Sequence, residues 1–281
     1  MKKHLIWAAA SAALLASCAK EETQTFTPAA TDLPQASITF VAEENADFTR
    51  AFFDNTTTTE AWEQSLSSLT VFCFEEGALV MRRNFTSAEL SSRRSTFALP
   101  RSTAGKSIEF YALANAAVDE NITTKTALLA LTEETPGSYN GTFANVSSKA
   151  LRSGGFLMSG TATKSIGAAG TTTEVAITLR RDVAKVAVQA SLSPAFADKY
   201  PGTVRITSVK LSRSAMQTPY FGGTPKTGAM TFTHTQTPGE TSGRFNALFY
   251  CFENAALASG SRVLLTLDGV YDRDGKTSTT S

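Results

Sequence analysis

The chain has 281 residues, 42% of them hydrophobic and 18% charged, with a net charge of only +1. That length suffices for two domains of ordinary size or one large one. The composition is that of a folded chain, not a disordered one, and the near-zero charge excludes a strongly electrostatic nucleic-acid partner. The sequence opens Met1-Lys2-Lys3-His4, continues with an uncharged apolar run over residues 5–15, and reaches Leu15-Ala16-Ser17-Cys18. A basic start, an apolar segment and small residues before a cut define a secretory signal over residues 1–17. The apolar run is shorter than the ~20 residues that a spanning helix needs.

The Leu15-Ala16-Ser17-Cys18 ending resembles the bacterial lipobox, where a peptidase cuts before a cysteine whose thiol carries diacylglycerol. The resemblance implies lipid on Cys18, with the two or more acyl chains that stable anchoring requires. Residue 19 is Ala, not the Asp of the inner-membrane retention signal known from enteric lipoproteins. Lys20-Glu21-Glu22 looks like the export signal of Bacteroidota surface lipoproteins, and it equally suits a solvated charged tether. Residues 18–36, rich in Thr, Ala, Pro and charge, read as that tether.

Strand signals follow in chain order. Ser37-Ile38-Thr39-Phe40-Val41 alternates, and residues 69–74 (LTVFCF) are apolar on both faces, as in a central strand. Glu75-Glu76-Gly77 supplies a turn, and residues 78–81 pair back as a hairpin. Residues 95–99 and 107–114 extend the series, and residues 123–134 form the best helix candidate. A strand at 156–160 precedes a Gly/Ala/Thr-rich stretch over 161–173, the best domain boundary. Residues 174–180 and 182–191 alternate cleanly. Residues 203–211 carry a phase slip near Thr207-Ser208 that predicts a bulge, and strands over 245–252 and 262–271 follow. Many short strands and one helix argue for an all-β chain of β-sandwiches: residues 37–171 as an N-terminal domain and 172–281 as a C-terminal one. Asp272-Arg273-Asp274-Gly275 is a hairpin turn, and residues 276–281 begin a returning strand. The second sandwich thus reads as incomplete, as a fragment or as one completed by something else, with an open edge; a polar tail is the alternative.

Little in the chain points to catalysis. The histidines are His4, inside the signal, and His234, which reads as a structural residue. Gly-x-Ser-x-Gly, His-Glu-x-x-His, P-loop and dinucleotide motifs are absent from the sequence. Asp268, Asp272 and Asp274 lack the closing Glu of a calcium loop and read as turn residues. Cys73 and Cys251 sit in apolar strands and read as separate buried thiols, with a disulfide, which an exported protein permits, as the alternative. No metal, cofactor or enzyme activity is expected.

Several segments, in order, resemble the fimbrillin family of Bacteroidales, the subunits of lipoprotein-derived (type V) pili. They are Thr49-Arg50-Ala51 after a first strand; Leu69–Phe74 with Gly77-Ala78-Leu79-Val80; Phe110–Asn115; Phe156-Leu157-Met158-Ser159-Gly160; Leu179–Val186; and Phe249–Asn254. The resemblance implies two tandem transthyretin-like β-sandwiches and a precursor exported to the outer membrane, facing the cell surface. It implies fimbrial subunits as partners, with adhesion to a host or bacterial receptor. It also implies a trypsin-like cut after a basic residue, removal of the first strand, and its replacement by a strand from the next subunit. Arg50 is the basic residue just after the first strand and the candidate processing site, with a plain loop arginine as the alternative. Tip and anchor subunits of the family need not be cut. The alternative function is a non-polymerising surface lipoprotein that binds glycan or host protein.

Overall fold

The computed structural model describes residues 32–42, 60–134, 136–191, 193–222, 229–235, 244–254, 260–273 and 277–280. Cys18 and Arg50 lie outside them. In chain order the strands are Gln35–Ala42 (β1), Leu69–Glu75 (β2), Ala78–Asn84 (β3), Arg94–Ala98 (β4), Ser107–Ala114 (β5), Thr132–Glu133 (β6), Met158–Ser165 (β7), Thr172–Arg181 (β8), Val183–Ser191 (β9), Thr203–Ser214 (β10), Thr218–Pro219 (β11), Met230–Thr235 (β12), Arg244–Phe252 (β13), Leu264–Asp272 (β14) and Thr277–Thr280 (β15). Short helices lie at Ser87–Ser92 (α1), Lys125–Leu129 (α2), Phe143–Val146 (α3) and Pro194–Lys199 (α4).

The first seven-stranded sheet has the order β3-β2-β5-β7-β8-β1-β4 and folds over on itself. The fold lies between β7 and β8, which share only the pairs Met158↔Arg181 and Ser159↔Arg180. Away from that seam β7 pairs with β5 while β8 pairs with β1, so the two strands diverge into opposite layers. Gly160 makes the seam geometrically feasible: a Cβ there would collide with the Thr178 carbonyl oxygen. Between the layers lie Ala36, Ile38, Phe40, Val71, Cys73, Ile108, Phe110, Val175, Ile177 and Leu179, all essentially inaccessible. This is the period-2 alternation of β1 and β8 turned into a core. The unbroken apolar run of β2 has a second use. Phe72 and Phe74 point to the outer face, where Leu128 of α2, Leu113 and Phe221 cover them.

A second core lies between the β9–β13 ribbon and a sheet ordered β12-β10-β14-β15. It holds Val209 and Leu211 of β10 and Phe245, Ala247, Phe249 and Cys251 of β13. The alternate residues Leu248, Tyr250 and Phe252 pack into the first core. Strand β13 is thus buried on both faces and belongs to both cores, which is why residues 245–252 carry almost no polar position. The phase slip in β10 is a register shift between Ile206 and Ser208, as its sequence pattern predicts. The turn after β2 has φ 48° at Glu76 and 85° at Gly77, the two positive values that a tight right-twisted hairpin needs. Strand β15 returns along β14 from Gly269↔Thr280 to Asp272↔Thr277, as the turn chemistry indicates.

Three expectations change. The helix expected over 123–134 is only the five residues of α2, capped by Thr124, because Thr132 and Glu133 leave it to pair with Pro219 and Thr218. The stretch 161–173, expected as a domain boundary, lies within one sheet: Thr161–Ser165 completes β7, and the turn that follows leads straight into β8. Its threonines and serine line an outer face and mimic a loop in sequence. The step from the first sheet to the β9–β13 ribbon comes at Asp182, the single residue between β8 and β9, so a boundary at residue 171/172 falls between two strands of one sheet.

Candidate functional site

The polar residues of the quoted motifs hold backbone in place. Asn115, at φ 61° just after β5, accepts from the amides of Ser67 and Ser68 and donates to the carbonyls of Ser65 and Phe156. Asn254 donates to the Arg213 and Ser261 carbonyls. Lys185 pairs at 2.8 Å with Glu63, which is 3% exposed and accepts a 2.5 Å bond from the Tyr250 hydroxyl. Burial, then the Glu63 charge, pushes the Tyr250 phenol well above its ordinary range. Glu63 thereby ties the short helical turn Ala61–Gln64 to β9 and β13.

His234 is buried, with Nε2 2.8 Å from the Leu248 carbonyl and its ring against Phe143 and Phe249. That is a structural setting, as the sequence suggests. Asp268 faces Lys210 at 2.6 Å and accepts from Ser208, contacts that hold its carboxyl below the usual range. Cys73 and Cys251 are buried free thiols, and burial alone pushes Cys73 up to about 12, far from reactive. Among the described residues no three His, Cys, Asp or Glu side chains converge as metal ligands, and no helix is long and apolar enough to cross a membrane.

What the fold does build is a slot filled by β1. This strand runs parallel to β8 in register from Gln35↔Thr172 to Ala42↔Leu179, and antiparallel to β4 from Gln35↔Ala98 to Thr39↔Arg94. Its four inner side chains run small-large-large-small: Ala36, Ile38, Phe40 and Ala42. Phe40 meets Phe85 edge to face at 5.6 Å. At the entry end, the Leu99 amide donates to the Pro34 carbonyl and the Gln35 amide to the Thr171 carbonyl. At the other end the Phe40 amide donates to the Arg93 carbonyl. On the outer face Arg94 donates to Ser37 Oγ and pairs with Glu174 of β8 at 2.8 Å, clamping over β1. In sequence, β1 lies between Cys18 and Arg50.

A second feature is the uncovered part of the other core. Leu265 and Leu267 stand opposite the buried Leu211 and Val209, on the same face of the sheet, yet each is 39% exposed. Among the described residues the side of β14 away from β10 is paired only from Gly269 to Asp272. The edge of β13, by contrast, is closed by the Asn140 side chain, which accepts from the Tyr250 amide and donates to its carbonyl.

The sequence matches the family described as fimbrillin-A associated anchor proteins Mfa1 and Mfa2 over residues 34–256, and the chain belongs to that family. Its fold is similar to a candidate cell adhesion protein of Parabacteroides distasonis (TM-score 0.59, 16% identity, 89% of this chain and 79% of that one). It is also similar to one of Bacteroides eggerthii (TM-score 0.53, 17% identity, 88% and 77%). A third is the C-terminally truncated tip fimbrial protein Mfa3 of Porphyromonas gingivalis (TM-score 0.50, 14% identity, 88% and 81%). No curated protein matches the sequence significantly. As a member of that family, the chain is a fimbria-associated protein of the cell surface.

Proposed function

We propose that the chain is a structural subunit of a surface fimbria, exported as a lipoprotein through Cys18 and joined to its neighbours by strand exchange at the β1 slot. The observation that carries this reading is the place of β1. It fills a slot between two strands, and its chain connections run towards Cys18 on one side and Arg50 on the other. A cut after Arg50 leaves β1 held by non-covalent contacts alone. Those contacts are strong, since burying Ile38 and Phe40 contributes about 1.5–3 kcal/mol each. The strand therefore leaves only as another replaces it. The replacement must run parallel to β8 and offer apolar side chains at alternate positions, small at both ends and large in the middle. The two sandwiches then act as rigid, transthyretin-like building blocks along the fibre, and the exposed Leu265 and Leu267 offer a further surface for an added strand.

The family's description as anchor proteins favours a second reading, in which Arg50 stays uncut and lipid on Cys18 holds the subunit in the outer membrane at the fimbrial base. Treating outer-membrane fractions with trypsin separates the two. Strand exchange gives SDS-stable ladders whose chains begin at Ala51. A chain that stays monomeric and uncut at Arg50 rules that assembly out.

A further inference from the structure

The seam that closes the first sheet carries a half-buried acid, Asp182, one of whose carboxylate oxygens is inaccessible. Asp182 follows directly on the pairs Met158↔Arg181 and Ser159↔Arg180 and extends them. Its amide donates to the Leu157 carbonyl at 3.2 Å, and its Oδ1 accepts from Ser159 Oγ at 3.4 Å. The other oxygen, Oδ2, is inaccessible and has no hydrogen-bond partner among the described residues.

The charged and titratable groups around it come from separate elements. Ser159 is on β7, Glu133 on β6, Arg152 on the loop before β7, Tyr139 at the end of the helical turn Pro136–Tyr139, and Tyr220 just after β11. Only one of these is a cation, and it is already engaged. Arg152 pairs with Glu133 through Nε and Nη2, at 2.9 and 2.8 Å, and donates through Nη1 to the carbonyls of Asn115 and Gly155. Tyr139 lies under that guanidinium, and burial keeps its proton on. The one arginine near Asp182 is thus held by Glu133.

We propose that Asp182 is a proton-dependent latch on this seam: as a neutral acid it keeps β8 closed on β7, and as a carboxylate it loosens the corner and with it the β8 wall of the β1 slot. The link to the slot is short, since Leu179, three residues before Asp182, is the register partner of Ala42 at the end of β1. Burial first, then the Glu133 charge, pushes the Asp182 carboxyl up to about 8, against the lowering by Ser159 and Arg152. The latch is therefore tightest in acid surroundings and loosens progressively as pH rises towards 8. An opened seam exposes the carboxyl to water, where it titrates near 4. Linkage then requires the opening equilibrium to rise about tenfold for each pH unit between about 4 and 8.

Hydrogen exchange on the full-length chain in detergent micelles, corrected for the intrinsic pH dependence of exchange, tests the latch. The amides of residues 157–160 and 180–183 should lose protection by about tenfold between pH 6 and pH 7, while those of β2 and β5 stay level. In Asp182→Asn the seam amides should show no such dependence. Equal pH profiles in the two proteins would overturn the proposal. If the variant fails to fold, carbon-13 titration of the aspartates in the natural chain decides alone: an Asp182 midpoint above about 6.5 supports the latch, and one below about 5 overturns it.

Discussion

Glu63 shows how single residues weld this molecule together. It sits in a short turn near the start of the described chain, yet its carboxylate satisfies Lys185 on β9 and the Tyr250 hydroxyl on β13. Removing one partner of a buried pair leaves the other charge uncompensated. Glu63→Ala should therefore lower stability by about 3 kcal/mol in chemical denaturation, and the double variant Glu63→Ala with Lys185→Met should recover part of that loss. Asp182 sets a pH dependence of opposite sign to that of most carboxylates. Its folded value, about 8, lies above the unfolded value near 3.9, so the folded state holds a proton that the unfolded state releases. The stability that this proton contributes is fully present below pH 4 and is lost as pH rises through 8. Denaturant midpoints measured from pH 5 to pH 8 should fall steadily, with a ceiling of about 4 kcal/mol over those three pH units, and Asp182→Asn should flatten that slope. None of this could be read in sequence, because Glu63 and Asp182 look like ordinary surface acids until distant strands enclose them. The Asn115, Lys185 and Asn254 positions were legible as motif members, but only as parts of a pattern, without their structural task.

At the scale of elements, the legible strands were those whose two faces differ in chemistry. Strands β1 and β8 alternate in sequence, and β2 is largely apolar because both its faces are covered. Strand β7 was only half legible, since its second half presents threonine, lysine and serine to solvent. Helices α1, α3 and α4 span four to six residues, too few to show a helical period. Partners were the hardest part, because the pairing of β1 with β8 and of β9 with β13 joins segments far apart in the chain. Two variants test the element-level account. Gly160→Ala places a methyl group against the Thr178 carbonyl and must push β8 away, so it should lower stability by about 3 kcal/mol and raise proteolysis at the seam. Phe40→Ala empties the largest pocket of the slot and should destabilise the intact chain by about 3–5 kcal/mol. After a cut at Arg50, the same change should make β1 exchange with a competing peptide faster than the natural strand does, read by fluorescence of a labelled peptide.

For the whole molecule, β13 is the organising strand. One face closes the core beside Tyr139 and Phe156 and the other closes the core beside Val209 and Leu211. Two features of the strand layout bear on the proposed assembly, the filled β1 slot and the exposed leucines of β14. Cys18 and Arg50, the candidate lipid and processing residues, flank β1 in the chain. Under the proposed reading, a cut at Arg50 would release the lipid with β1, and an uncut chain would stay held at the membrane. The most direct test of the fimbrial account is the intact mass and N-terminus of this chain in fimbriae sheared from cells and purified. Strand exchange predicts that the chain is present in the fibres, begins at Ala51 and lacks lipid. Finding it absent from the fibres, recovered only as a lipidated monomer from membranes, would contradict the account.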